Sequence, residues 1–204
     1  MIDHAPTRTS RRSLVGAIAA LATLTGELFC GMRGARAQEI TVPPQLQSRL
    51  LAKVVEYDRN FGERAGEIVH ILIIGRSEQQ SSMRAAEQML ASLAQVERMG
   101  GLPHDEVIVR YRSALELVDE CRQRKAAVVY LGPGFRDELG NIRNALDGVD
   151  VLSVTGVADY VPEGVVLGFD VISSQPRMLI NLAQAKRQNV AFQANVLKLM
   201  KVFP

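Results

Sequence analysis

The chain has 204 residues, of which 47% are hydrophobic and 23% are charged, proportions that are ordinary for one globular domain. It has no Trp and only 5% aromatic residues, so the core must be built from aliphatic side chains. Five Arg stand against two acids in residues 1–37, and the rest of the chain carries nearly equal numbers of basic and acidic residues. This balance lacks the basic patch that a nucleic-acid-binding protein needs.

The N-terminus has the three parts of a secretory signal peptide, with Arg residues, a short apolar run at 14–25 and a small-x-small site at 35–37. The apolar run is shorter than the roughly 20 residues that cross a bilayer core, and an acidic residue, Glu27, follows it. A cleaved signal over 1–37 is therefore favoured over an uncleaved membrane anchor. The Arg pair at 11–12 resembles a twin-arginine signal, although ordinary secretory signals also carry such pairs. We expect the mature protein in the periplasm.

The two cysteines predict no internal disulfide. Cys30 lies within the predicted signal, so the mature chain would keep only Cys121. We interpret Cys121 as a small buried apolar residue of a helix, with an intermolecular disulfide as the alternative. Cys30 follows Phe29 instead of the small residues of a lipoprotein site, so lipid attachment is not expected.

The first part of the mature chain alternates between helices and strands. The pair Pro43-Pro44 opens an amphipathic helix that ends near Gly62. Continuous β-branched and apolar runs predict strands buried on both faces, and apolar residues every three or four positions predict helices. In chain order these are a strand at 68–74, a helix at 78–98, a strand at 107–109, a helix at 114–124, a strand at 126–131, a helix at 135–146 and a strand at 151–154.

The pattern changes in the last third of the chain. Two strands at 165–171 and 178–182 precede a helical segment from about 183 to the end, interrupted at 188–189. The link between these strands is too short for a parallel crossover, so they should form an antiparallel hairpin at the sheet edge. The whole pattern predicts an α/β fold over 38–204, a three-layer, open, mostly parallel sheet with flanking helices and an antiparallel C-terminal hairpin.

Three predicted turns should meet at one edge of this sheet, because ligands of doubly wound folds bind outside the carboxyl ends of the strands. The turns are 75–77, 132–134 and 155–156, and their candidate ligand residues are Ser77, Gly132, Gly134 and Gly156. A helix N-terminus there could hold an anion, and glycines would let the backbone approach a ligand. The alternative is that these residues only form turns and a helix cap. The sequence lacks the GxGxxG and P-loop patterns, so no nucleotide cofactor is predicted.

A further candidate is the loop at 159–163, in which an aromatic residue stands between acids. Aromatic side chains are favoured anchors of protein interfaces, so Asp159 and Tyr160 are predicted to contact a partner. A plain surface loop is the alternative.

No pattern of nucleophile, base or metal ligands points to catalysis, and the chain is predicted not to be an enzyme. His70 falls inside the first strand and is interpreted as a core histidine with a hydrogen-bond partner. A metal site at His70 would need further ligands, and His104 is the only other histidine of the mature chain.

The last third of the chain resembles YfiR-like proteins. The similar segments are the strand at 151–155, the strand at 164–169, the residues at 180–182 and 185–186, and the apolar positions of the closing helix. Residues 51–53 of the first helix and the strand end at 130–133 are similar too. Two features depart from the family. The chain has Phe61-Gly62-Glu63 where the family often has Trp-Pro, and Cys121 lacks a second cysteine, which argues against a disulfide-based redox mechanism.

The resemblance implies a periplasmic α/β domain without known catalysis. The best-known member is a dimeric repressor that binds the periplasmic sensor region of an inner-membrane diguanylate cyclase, and an outer-membrane partner can remove it. We therefore expect a homodimeric regulatory adaptor, acting in signalling such as that by cyclic di-GMP, that binds the extracytoplasmic part of a membrane signalling protein. The alternative is a small-molecule binding protein that serves a transporter or sensor.

Overall fold

The computed structural model describes residues 42–173 and 175–204. The predicted export signal at 1–37, including Cys30, lies outside this part of the chain. The helices are α1 (Pro44–Val54), α2 (Phe61–Ala65), α3 (Gln80–Leu93), α4 (Ala114–Gln123), α5 (Leu139–Ala145), α6 (Leu182–Arg187) and α7 (Ala194–Leu197). The strands are β1 (Val69–Gly75), β2 (His104–Arg110), β3 (Ala126–Leu131), β4 (Leu152–Thr155), β5 (Leu167–Ile172), β6 (Gln175–Asn181) and β7 (Lys201–Phe203).

The strands form one sheet in the order β2-β1-β3-β4-β5-β6-β7. The first five strands are parallel to their neighbours, and β5 and β6 form an antiparallel hairpin. The predicted α/β class and the hairpin are both confirmed. In this order the chain leaves β1 towards β2 on one side and later returns to β3 on the other side. The carboxyl ends of β1 and β3 are therefore the switch point at which doubly wound sheets form a crevice.

Two apolar layers cover the sheet, because the central strands bury side chains on both faces. On β1, Ile71 and Ile73 belong to a core cluster that includes residues of α1 and α3. Leu72 and Ile74 face the opposite way, into a second cluster with residues of α4 and α5. This alternation follows from the two-residue repeat of a strand and explains why β3, and β1 after His70, are continuous runs of apolar residues.

The C-terminus differs from the predicted helix. Residues 201–203 form β7, which pairs in parallel with β6 and places Val202 beside Ile180. The hairpin is therefore not at the sheet edge, as predicted, but one strand inside it. The apolar spacing of this segment suits a short helix as well as a strand, and the free side of β6 offers backbone hydrogen bonds that favour the strand.

The first helix is also shorter than predicted. α1 ends at Val54, a 3₁₀ turn covers Val55–Tyr57, and α2 starts only at Phe61. The break turns Asp58 into the interior, where its side chain is fully buried beside Arg64.

The buried guanidinium of Arg64 joins three distant parts of the chain. It donates to the Asp58 carboxylate at 2.7 Å, to the Asp150 carboxylate at 2.7 Å and to the Asn189 carbonyl at 2.8 Å. The second oxygen of Asp58 accepts the backbone N–H of Ala191 at 2.9 Å. We call this group, Asp58, Arg64, Asp150 and Asn189, the Arg64 clamp. It fixes the segment before β1 and the segment before α7 against the loop that leads into β4.

Within the described part of the chain, no helix combines the length and the apolar character that a membrane crossing requires.

Replacing Asp58 by Ala should lower the free energy of unfolding by about 2–4 kcal/mol, since the buried Arg64 keeps only the Asp150 carboxylate and the Ala191 N–H loses its acceptor. The matched control is Asp147→Ala, which removes the exposed Arg187–Asp147 pair and should cost less than about 1 kcal/mol. Urea unfolding of both variants measures the difference. Equal losses would show that the clamp contributes no more than a surface ion pair.

Candidate functional site

The loops that leave β1, β3 and β4 start at the same edge of the sheet, as the sequence predicted. Ile74 pairs with Leu131, and Leu131 pairs with Thr155. A Cβ atom added at Gly132 would lie 3.7 Å from the Ile74 carbonyl oxygen, so these loops start with their backbones close together.

Arg76 crosses the crevice between the first two loops. Its guanidinium donates to the Gly134 carbonyl at 2.9 Å and to the Asp137 carboxylate at 2.6 Å. This bond raises the pKa of Arg76 and lowers the pKa of Asp137. The ion pair and the bond to Gly134 therefore join the loop after β1 to the loop after β3.

Tyr160 is buried, so the prediction that it is an exposed partner contact is wrong. Its hydroxyl accepts the backbone N–H groups of Gly134 at 3.0 Å and Phe135 at 2.9 Å. The 3₁₀ turn at Ala158–Tyr160 points the ring inward and leaves Asp159 in solvent, paired with Arg136 at 2.8 Å. The acidic residues on either side of Tyr160 indicated a solvated loop. The inward direction of the Tyr160 ring could not be predicted, since sequence alone does not give the direction of each side chain in a turn.

Gly156 provides a close approach to side chains from two other elements. A Cβ atom there would lie 2.6 Å from the Tyr130 hydroxyl and 2.8 Å from the Gln47 side chain. The Tyr130 hydroxyl donates to the Gln47 oxygen at 2.9 Å, and Gln47 donates to the Val42 carbonyl at 2.6 Å. Burial raises the pKa of Tyr130 above its ordinary value. The absence of a side chain at Gly156 therefore makes space for the side chains of Tyr130 and Gln47, which fill the crevice beside α1.

Ser77 is exposed and does not cap the following helix. The N-cap of α3 is Gln79, which makes no side-chain cap hydrogen bond. The interpretation of Ser77 as a helix cap is therefore wrong. Of the six predicted site residues, the structure brings Gly134 and Tyr160 into direct contact and places Ser77 and Asp159 in solvent.

The two histidines of the described chain lie near the amino ends of β1 and β2, away from the crevice. His70 is about one-third exposed and contacts Asp105 at 2.8 Å. It lies on the rim of the sheet beside the edge strand, so its interpretation as a core residue is wrong. His104 is buried between Glu106 and the Val96 carbonyl. Across 42–173 and 175–204, no three His, Cys, Asp or Glu side chains are grouped so that they could hold a metal.

An open apolar groove lies on the other side of α1. It has a volume of about 290 Å³, and its lining residues are Leu50, Lys53, Val54, Tyr57, Met178, Asn195, Val196 and Leu199. We call it the α1–α7 groove. Leu199 is 66% exposed and Tyr57 is 37% exposed, although both are large apolar side chains. Grouped exposed apolar residues of this kind mark interaction surfaces.

The sequence did not predict this groove, because its walls come from opposite ends of the chain. Leu50 belongs to the first helix and Leu199 follows the last one. The apolar positions of the predicted closing helix contained the signal. Of these residues, Val196 is buried, and Leu199 is left in solvent where the chain turns into β7.

Comparisons with known proteins fit this fold. A model of the YfiR/HmsC-like family matches residues 44–201. No curated protein matches the chain. A conserved domain protein from Vibrio cholerae O1 biovar eltor str. N16961 is similar in structure, with a TM-score of 0.56 and 11% identity over 80% of this chain. The ABC domain in complex with L-Trp from Streptococcus pneumonia is similar with a TM-score of 0.55 and 13% identity over 79%. The chain spans 60% of the length of each of these structures.

Replacing Tyr160 by Phe should lower the free energy of unfolding by about 1–3 kcal/mol, because the buried N–H groups of Gly134 and Phe135 lose their acceptor. Asp159→Ala, one residue away, removes only an exposed ion pair and serves as the control, with an expected loss below about 1 kcal/mol. Thermal and urea unfolding measure both. A Tyr160→Phe variant as stable as the native protein would contradict this account of the crevice.

Burial raises the pKa of the Cys121 thiol from its ordinary value near 9 to about 12. In a Cys30→Ser background, Cys121 should react with a disulfide reagent at pH 8 at least about 100-fold more slowly in the folded than in the unfolded state, since the thiolate is the reacting form. The stability that the protonated thiol contributes is present below pH 9 and is lost as the pH rises through about 12. Comparison with Cys121→Ala isolates that pH dependence. Rapid labelling of the folded protein would contradict the buried position.

Proposed function

Because the chain belongs to the YfiR/HmsC-like family, we propose that it is a periplasmic adaptor that binds the extracytoplasmic part of a membrane signalling protein. Membership of the family supports a periplasmic regulator in general. The finer proposal is that the partner is an enzyme such as a diguanylate cyclase, and that this chain represses it without catalysing a reaction or holding a cofactor.

The observation that carries this proposal is the α1–α7 groove. Its exposed apolar side chains would gain about 25 cal/mol for every Å² that a partner removes from water. Lys53 on its wall has an 80% exposed side chain that contacts Glu56 at 3.6 Å, an exposed pair that is weak in water, and Lys198, which precedes Leu199 in the chain, is also exposed. We propose that the occupant is an apolar segment of the partner protein with an acidic flank, which would complement these lysines.

An adaptor of this kind acts through differential affinity. If the partner's segment is accessible only in its inactive state, binding in the groove shifts the partner towards that state. A shift from mostly active to mostly inactive needs an affinity difference on the order of 10⁴ between the two states. Buried aromatic and aliphatic anchors supply differences of this size, whereas exposed charges contribute mainly to the rate of association.

A second candidate is a small-molecule binding protein that serves a transporter or sensor. The convergence of the three loops at the ends of β1, β3 and β4 favours it. The crevice there is occupied by the Arg76–Asp137 ion pair and by the Tyr160 hydroxyl, so a ligand would first have to displace both. We rank this candidate second because the α1–α7 groove is already open.

We further propose that the chain forms a homodimer and that an outer-membrane protein can compete with the signalling partner for it. Both proposals follow from the resemblance to YfiR-like proteins.

The variant Leu199→Glu should reduce the amount of membrane signalling protein recovered with the tagged chain by at least about tenfold, since it replaces an exposed apolar lining residue of the groove by a charge. The measurement is crosslinked copurification from the periplasm of the native host. Leu115→Glu is the matched control, because Leu115 is 75% exposed on α4 and belongs to the opposite face of the sheet.

Leu115→Glu should leave recovery of the partner unchanged. If both variants recover the partner as well as the native chain, the groove is not its site. If the native chain recovers no envelope protein, and a solute raises its melting temperature, the second candidate replaces the first.

A further inference from the structure

Among residues 42–173 and 175–204, the strand β2 forms an edge of the sheet over seven residues, His104–Arg110, and pairs with β1 alone. The Val69 N–H donates to the Pro103 carbonyl, and the Tyr111 N–H donates to the Gly75 carbonyl. Because strand residues alternate, the odd-numbered residues of β2 bond to β1 and the even-numbered residues direct their backbone groups outward. His104, Glu106, Ile108 and Arg110 therefore offer a row of donors and acceptors to a second strand.

Against pairing with another strand, this edge has charged side chains but neither a Pro nor a bulge. Natural edge strands are kept short, bulged or interrupted by Pro. The opposite edge, β7, has three residues and is followed by Pro204. In contrast, β2 keeps an unbroken register with β1 and has an apolar centre of three half-buried residues, Val107, Ile108 and Val109.

The charges of β2 suit an antiparallel copy of itself. Its first half carries Asp105 and Glu106, and its second half ends in Arg110, with Arg112 two residues beyond. In an antiparallel pair of identical strands, the acidic half of one copy meets the basic half of the other. A parallel pair would instead place like charges opposite each other, which is destabilising.

We propose that two copies of the chain pair antiparallel through β2, with Ile108 opposite Ile108 at a two-fold axis. This inference rests on the homodimer of the proposed function and names its surface. The pairing joins two seven-stranded sheets into one continuous sheet.

The register follows from the outward groups, since only even-numbered residues can form the hydrogen-bonded pairs. Centred on Ile108, the pairing places Glu106 opposite Arg110 on both sides of the axis. One oxygen of Glu106 contacts His104, which leaves the other oxygen for Arg110 of the second copy. Centred on Val107, the pairing would place Glu106 opposite Ile108 and lose both charge pairs.

The sharpest test is a cysteine at the axis. Residues of a hydrogen-bonded antiparallel pair have Cα atoms about 5.5 Å apart, within the range of a disulfide. In the full chain with Cys30→Ser, the variant Ile108→Cys should form a disulfide-linked dimer under mild oxidation, seen on a non-reducing gel. Cys121 is buried and does not compete.

The matched control is Val107→Cys, which should not crosslink with itself, because the inferred register places the two copies of residue 107 diagonally, about 7–8 Å apart. A mixture of Val107→Cys and Val109→Cys should crosslink, since these positions face each other. Crosslinking of Val107→Cys alone would overturn the register.

Charge exchange provides an independent readout by light scattering. Arg110→Glu should convert the dimer into a monomer, and the double variant Glu106→Arg with Arg110→Glu should restore it. A dimer that persists in Arg110→Glu and fails to crosslink at Ile108→Cys would overturn the β2 surface and leave the homodimer standing. A native chain that is monomeric would overturn both, while the capture of a partner in the α1–α7 groove is measured separately.

Discussion

The hydrogen bonds of the buried Arg64 side chain determine how α1 and α7 are arranged. A buried guanidinium is stable only when all its donors are used, and here each of three directions meets an oxygen from a different part of the chain. The residues that follow Asn189 lead directly into α7, while those that precede Asp58 come from α1. The clamp therefore sets the distance between α1 and α7, and with it the width of the groove that we assign to the partner.

The two candidate sites of the molecule differ in how polar groups are satisfied. At the ends of β1 and β3, the loops hold each other through an ion pair and through the Tyr160 hydroxyl, so the backbone donors that could bind a ligand already have partners. In the α1–α7 groove, the large exposed side chains Tyr57 and Leu199 present apolar surface to water, and the polar groups Lys53 and Asn195 lie among them. Binding of a protein partner is commonly driven by the burial of exposed apolar surface. The α1–α7 groove offers such surface, which agrees with membership of a family of regulatory proteins.

The fold could be predicted to the extent that it depends on local patterns. Strands such as β3 are continuous apolar runs, and the short link after β5 allows only a hairpin, so the parallel sheet and its antiparallel end follow from spacing alone. The convergence of the loops at 132–134 and 155–156 followed from topology. The spacing of residues does not predict the direction of the Tyr160 side chain in its 3₁₀ turn. It also does not predict that Leu50 and Leu199, from opposite ends of the chain, line the same groove. The short strand β7 depended on the free side of β6, which is a property of the assembled sheet.

The order of the strands fixes the distance between the two α1–α7 grooves of the inferred dimer. The groove lies over β6, which is five strand positions from β2. At about 4.8 Å between neighbouring strands, two sheets joined at β2 would separate their grooves by about 50 Å. A dimer of this kind is bivalent, and a partner that presents two segments with a matching span would be held by both at once. The second contact would then form at the effective concentration that the first imposes, so weak individual affinities would suffice for tight repression.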